Sequence, residues 1–221
     1  MPMRRALRGL IAAVLSLSAI ACSAADKPAS FEEGKQYKQV NEVQAPADKK
    51  RVQVAEFFWY GCPHCYAFDP SLRAWEKTKP ADVDFVRYPN SLGHPQGLLH
   101  SRAFYTEQAL GVFDTMHTAL FDAIHKDGNP LISEAQIAAL FQSKAGIDPD
   151  KFSGTFNGFV VDAEVRQAEN LARSYGVFSV PTIIVGGKYM TGPAMTGGLD
   201  QTIATINFLV DKVRKERGIK K

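Results

Sequence analysis

One segment, Phe57-Phe58-Trp59-Tyr60-Gly61-Cys62-Pro63-His64-Cys65-Tyr66, constrains the fold more than any other. Leading into it, Val52, Val54, Phe57, Phe58 and Trp59 are the residue types that suit a pleated, buried strand over residues 52–59. Gly61 ends that strand, and Pro63 suits the first position of a helix, where its missing N–H costs nothing. Cys65, Phe68, Leu72 and Trp75 then recur at three- and four-residue spacing, which predicts a helix with one apolar face. A second strand follows Pro80 at residues 83–88, so the order is strand, helix, strand, with two cysteines at the strand-to-helix junction.

The rest of the chain reads as a long helical interruption followed by a return to sheet. Helices are predicted over 96–110, 113–125, 133–144, 149–156 and 157–175. Ser133 with Gln136 forms a capping box, and Asp148-Pro149 is a cap followed by an N1 proline. Val180-Pro181-Thr182-Ile183-Ile184-Val185 is a short apolar strand. Gly186-Gly187 signals a two-residue hairpin, 188–191 is its return strand, and 199–217 is a last amphipathic helix. Residues 36–43 suit an edge strand. Neither sheet fragment alone buries enough surface to stand by itself, so the two together make one small α/β sheet flanked by helices.

Charge and leader narrow the function. Arg4, Arg5 and Arg8 precede an apolar run over 10–21 that is too short for a comfortable bilayer span, and small residues follow it. Residues 1–25 therefore read as a secretory signal peptide. The chain carries +3 overall, so loss of the three leader arginines leaves a neutral protein with no electrostatic case for nucleic acid. Export places it where disulfides form and persist.

Four chemistries compete for Cys62 and Cys65. Tetrahedral zinc wants four ligands, and His94/His100 and His117/His125 stand at six- and eight-residue spacing, unlike zinc-finger pairs. Covalent haem needs a histidine directly after the second cysteine, where Tyr66 stands. A structural disulfide would close too small a loop to restrain much chain entropy. Redox exchange fits best: unsatisfied N–H groups and the positive end of the helix dipole favour a thiolate at Cys62, with Cys65 one turn later as its partner. A donor or positive charge on His64 facing that sulfur would favour the thiolate further. No metal and no other cofactor are called for; the disulfide itself is the redox group.

Cys-Pro-His-Cys-Tyr after a strand, with Glu56 ahead of it, and Val180-Pro181-Thr182 beyond a helical stretch resemble the DsbA family of periplasmic thiol:disulfide oxidoreductases over about residues 34–217. The resemblance implies a thioredoxin fold with an inserted all-helical domain: a thioredoxin-like domain of 26–88 and 177–221, and an insertion over 89–176. It also implies Cys62 as nucleophile, Cys65 as resolving thiol and Pro63-His64 as the dipeptide that sets redox poise. Pro181 would be cis, with Val180 offering backbone groups to an extended substrate peptide. Glu56 reads two ways, as an outward-facing strand residue or as a buried acid that handles the proton of Cys65, with Arg87 as its charge partner. Trp59, Tyr60 and Phe68 are core residues or lining of a substrate groove. His100, His117 and His125 read as helix-surface histidines.

The implied partners are unfolded exported proteins with free cysteines and a DsbB-type inner-membrane reoxidase, and a monomer is expected. The alternatives are a disulfide isomerase or reductase, or a peptide-binding chaperone whose disulfide is structural. Cys22 follows Ala19-Ile20-Ala21, which resembles a lipoprotein cleavage box. The expected location is the periplasm of a Gram-negative bacterium, either soluble after a cut behind Ala25 or tethered to a membrane through lipidated Cys22.

Overall fold

The computed structural model describes residues 31–220. The leader over 1–25, its alternative end at Cys22 and the lead-in up to residue 30 lie outside the described residues. Among the described residues no helix is long and apolar enough to cross a membrane.

The central strand, β2 (Val52–Phe58), has six buried residues of seven and lies between β3 (Val83–Pro89), parallel to it, and β4 (Thr182–Val185), antiparallel to it. Covered on both faces, it reads as a near-continuous apolar run rather than an alternation. Next to β4 comes β5 (Tyr189–Thr191) and then β1 (Lys38–Gln39), for the order β1-β5-β4-β2-β3. Of the edge strand expected over 36–43, only Lys38 and Gln39 pair with β5, and Tyr37 makes an isolated bridge to Glu33. The β4–β5 turn has both glycines in the left-handed region, at φ 63° for Gly186 and 66° for Gly187. The ladder pairs Val185 with Tyr189, however, so Lys188 is an extra third residue in a loop expected to hold two.

Two helices, α1 (Pro63–Thr78) and α8 (Leu199–Arg217), cover one face, where Phe68, Leu72, Trp75, Ile206 and Leu209 pack on Val52 and Val54. On the other face Ala55 and Phe57 pack against Ala172 and Tyr175. Side chains alternate along a strand, so Glu56 lies on the same side as Val54 and Phe58, toward α1.

Between β3 and β4 the chain forms α2 (Pro95–Ala109), α3 (Phe113–His125), α4 (Glu134–Ala145), α5 (Pro149–Phe156) and α6 (Phe159–Tyr175). Ser133 accepts from Gln136 N at the start of α4, and Asp148 caps α5 through the amides of Asp150 and Lys151. Helix α6 begins at Phe159, not 157, because Asn157 ends α5 and its side chain is bonded to Glu134 and to Ser153. The core of these helices is continuous with the end of β2: Phe58, Tyr60, Cys62 and Cys65 pack in one cluster with Phe104, Leu120, Phe121 and Phe152. A four-residue helix that sequence periodicity did not indicate, α7 (Pro193–Thr196), precedes α8.

Candidate active site

Gly61 and the Cys62 N–H, which donates to the Trp59 carbonyl at 2.9 Å, close the turn that converts β2 into α1. Cys62 is the N-cap with extended backbone angles, and Pro63 is the first helical residue, as the sequence predicts. Helical spacing then puts Cys65 one turn in, and Asp69 one further turn along the same face.

The two thiols are free and unequal. Cys62 keeps 8% of its surface exposed and Cys65 none. The thiol of Cys65 donates toward Cys62 and is the largest influence on it. The amides of Cys65 and His64 and the charge of His64 act in the same direction against burial, and together they bring the Cys62 pKa from 9.0 down to about 6. The helix amides, which the sequence puts first, contribute less than the partner thiol. Cys65 moves the opposite way: burial, then its bond to Cys62, push it well above the ordinary thiol value, and the charge of Glu56 adds to this.

The other wall of the site arrives from far along the chain. The Val180–Pro181 bond is cis, and the Val180 carbonyl oxygen lies 3.5 Å from the Cys62 sulfur, which as a thiol donates to it across 118 residues of sequence.

Beneath the cysteines, Glu56 is 2% exposed, so it is not an outward-facing strand residue. Burial raises its pKa from 4.5 to about 7, against the pull of Arg87. The Arg87 Nε stands 3.2 Å from Glu56 Oε2, as an ion pair rather than an aligned hydrogen bond. Arg87 also meets Glu76 at 3.0 Å and Asp69 at 3.9 Å, and its guanidinium lies 4.4 Å over the Phe85 ring.

Tyr60 and Phe68 are core residues, whereas Trp59 is half-buried, stacks on His94 and donates from Nε1 to His100 Nδ1 at 3.0 Å. The histidine reading needs correction. His100 and His117 are each 1% exposed, and half-buried His125 reaches the Tyr60 carbonyl at 2.7 Å. His117 lies on the buried face of α3 with Met116, Leu120 and Phe121, and His100 on the buried stretch of α2 beside Ser101, Ala103 and Phe104, so neither faces solvent. Sequence reasoning also passed over Asp69, whose spacing from Cys65 was visible, and Glu107, which no spacing rule marks.

The model of the DSBA-like thioredoxin domain family matches residues 53–204. A relative from Burkholderia cepacia named thiol:disulfide interchange protein DsbA is 41% identical over 92% of this chain and 96% of its own length. The crystal structure of Pseudomonas aeruginosa DsbA superposes with a TM-score of 0.79 at 35% identity, covering 85% of this chain and 97% of that one. A DsbA of Proteus mirabilis solved with a non-covalently bound peptide, PWATCDS, matches with a TM-score of 0.71 at 28% identity, over 84% of this chain and 99% of that one. A cysteine pair at a helix mouth opposite a cis-proline is thus held in a thioredoxin fold interrupted by helices, and the chain belongs to the DSBA-like thioredoxin domain family.

Proposed function

We propose that the chain is a thiol:disulfide oxidoreductase that donates a Cys62–Cys65 disulfide to exported proteins with free cysteines. The observation that carries this reading is the inequality of the two thiols: an acidic, partly exposed Cys62 beside the Val180 carbonyl, and a buried Cys65 held in its protonated form.

In the oxidised protein a substrate thiolate attacks the Cys62 sulfur. The Cys62–Cys65 bond breaks, and Cys65 leaves with the electron pair. Burial disfavours that thiolate, so it takes a proton, and Glu56 is placed to supply it. A second substrate thiolate then attacks the substrate sulfur of the mixed disulfide and releases Cys62 as a thiolate. Two electrons have moved from substrate to protein. Because the Cys62 thiolate is stable, the reduced form is favoured and the disulfide is a strong oxidant. Pro63 and His64 set the environment of the departing sulfur, and the backbone of Val180, held by Pro181, offers an extended peptide its hydrogen bonds.

The redox-active pair is the only cofactor this scheme needs. Reoxidation falls to a DsbB-type inner-membrane partner, and the working form is a monomer in the periplasm, either free or tethered through lipidated Cys22. A Cys65→Ser variant tests the proposal: attack of its Cys62 thiolate on the disulfides of oxidised substrate proteins should leave covalent complexes that the variant cannot resolve and that reductant releases. A redox titration of the wild-type pair should give an oxidising potential. A variant that traps nothing, beside a wild type with a strongly reducing potential, would leave the fold without this activity.

A further inference from the structure

The buried charges do not stop at Arg87. Asp69 Oδ1 accepts from His117 Nε2 at 3.1 Å. The other imidazole nitrogen, Nδ1, lies 2.6 Å from the Tyr60 hydroxyl and 3.5 Å from Glu107 Oε1, and the Tyr60 hydroxyl is 2.7 Å from that same oxygen. Tyr60, Glu107 and His117 are all buried, and Glu107 Oε2 has no hydrogen-bond partner. The chain of groups therefore runs Glu56 (β2), Arg87 (β3), Asp69 (α1), His117 (α3), Tyr60 (the β2–α1 turn) and Glu107 (α2), with Glu76 (α1) on the outer side of Arg87.

The charges do not balance unless a proton is shared. Glu76 reaches solvent, which leaves Glu56, Asp69 and Glu107 buried against one guanidinium and one imidazole. In the resting protein, before any thiolate attacks, one carboxyl must hold a proton even with His117 protonated, since an unpaired buried charge is too costly. Asp69 bridges both cations and is the natural carboxylate, so the proton resides on Glu56 or Glu107. Burial, the largest influence on each, raises both acids to about 7. His117, which burial alone would push down, is held up by its bonds to Asp69 and Glu107.

Hydrogen bonding around Tyr60 admits two arrangements with the same number of protons. In one, His117 is doubly protonated, its Nδ1–H donates to the Tyr60 oxygen, and the Tyr60 hydroxyl donates to a Glu107 carboxylate. In the other, Glu107 is protonated and donates to the Tyr60 oxygen, whose own hydrogen points to a neutral Nδ1. His117 Nε2–H donates to Asp69 in both. The first puts a cation beside Asp69 and leaves Arg87 free to hold a Glu56 carboxylate. The second leaves Asp69 to draw on Arg87, and Glu56 keeps its proton.

We propose that His117, bridged to Glu107 by the Tyr60 hydroxyl, is a positioning residue for thiol–disulfide exchange: by taking up or returning the Glu107 proton, its imidazole sets how firmly Arg87 holds Glu56. The inference rests on the exchange reading above. As Glu56 passes its proton to the departing Cys65 sulfur, the Glu107 proton moves through Tyr60 to His117, and the new carboxylate finds Arg87 available. In that step the group gives one proton to Cys65 and takes over the negative charge that the departing sulfur would have carried; no proton is exchanged with solvent. The helical insertion thus acts on the chemistry of the Cys65 sulfur through Arg87 and Glu56.

The test is the pH profile of the rate at which dithiothreitol reduces the Cys62–Cys65 disulfide in the whole protein. The wild type should show an inflection near pH 7 that Glu56→Gln removes. His117→Gln and Tyr60→Phe should each move that inflection upward by about one pH unit, a tenfold rise in proton affinity. In the Glu56→Gln background neither should move anything. A purely structural role would lower the rate at every pH and leave the inflection in place. An unmoved inflection in Tyr60→Phe, which keeps the ring and its packing, overturns the inference even if His117→Gln does not fold, as does a wild type with no inflection. Failure of the exchange reading itself would show separately, as absent trapping by Cys65→Ser.

Discussion

The indole Nε1 of Trp59 donates to Nδ1 of His100 across 3.0 Å, and this fixes the tautomer of a histidine inside the helical insertion. With Nδ1 accepting, Nε2 carries the hydrogen and faces the carbonyl oxygens of Leu131 at 3.2 Å and Pro130 at 3.3 Å. All three contacts suit the neutral ring. A proton on Nδ1 would remove the acceptor of Trp59, and burial pushes the His100 pKa down to about 4.

Acid should therefore weaken the fold through His100. The unfolded chain takes up this proton near the ordinary histidine value of 6.5 and the folded protein near 4, so stability falls as pH drops through that window. The loss by pH 4 should be on the order of 2–3 kcal/mol. Denaturant melts between pH 7 and 4, compared with a His100→Gln variant that lacks this proton, measure it; the variant's curve should be flatter.

Glu56 has the opposite sign. Its folded pKa, about 7, lies above its unfolded value of 4.5, so its contribution to stability is complete below pH 4.5 and is lost as pH rises to 7. Glu56→Gln should remove that decline and leave the protein more stable than wild type at pH 8. The same variant should slow reduction of the disulfide by roughly 10²-fold, the low end of what a positioned acid supplies. Melts and single-turnover rates on one preparation separate the two effects.

Cys62 makes the stability gap between redox forms depend on pH. Only the reduced protein has this thiol, and its pKa lies near 6 when folded against 9.0 for an ordinary thiol. The reduced form should gain stability over the oxidised form as pH rises from 6 to 9. At pH 7 the gain is on the order of 1 kcal/mol. Paired urea melts of the two forms across that range give the slope, and Cys62→Ser, compared with the oxidised wild type, should abolish it.

Gly61→Ala should disturb the site by packing alone. A Cβ at that position would stand 2.5 Å from the six-membered ring of Trp59, far inside contact distance. The indole must turn, and its bond to His100 goes with it. A loss of about 1–3 kcal/mol is expected, with a shift in tryptophan emission.

Much of this architecture was legible because local chemistry and fold agree. Helices α3, α5 and α8 begin and end where periodicity and the Asp148-Pro149 cap place them. Cys62 and Pro63 mark the mouth of α1 without ambiguity. Helix α7 escaped because four residues hold barely one turn of any pattern. His100 and His117 were misassigned for different reasons: α2 is buried over most of its middle, so spacing marks no face for His100, whereas His117 shares the apolar face of α3 with Met116 and Leu120 but is polar and so reads as surface. Their polar residues are satisfied by one another, and partners such as Glu107 with His117 share no sequence register. Arg87 could be suggested as the mate of Glu56 only because strand neighbours are few.

The distance along the chain between Cys62 and Val180 bears on the order in which the site is completed. A polypeptide made N-terminus first presents its reactive sulfur well before the loop that faces it. During that interval the pair has no wall opposite it. The full site would exist only once the segment around Val180 has been added, so an unfinished copy would be held back from reacting with its neighbours.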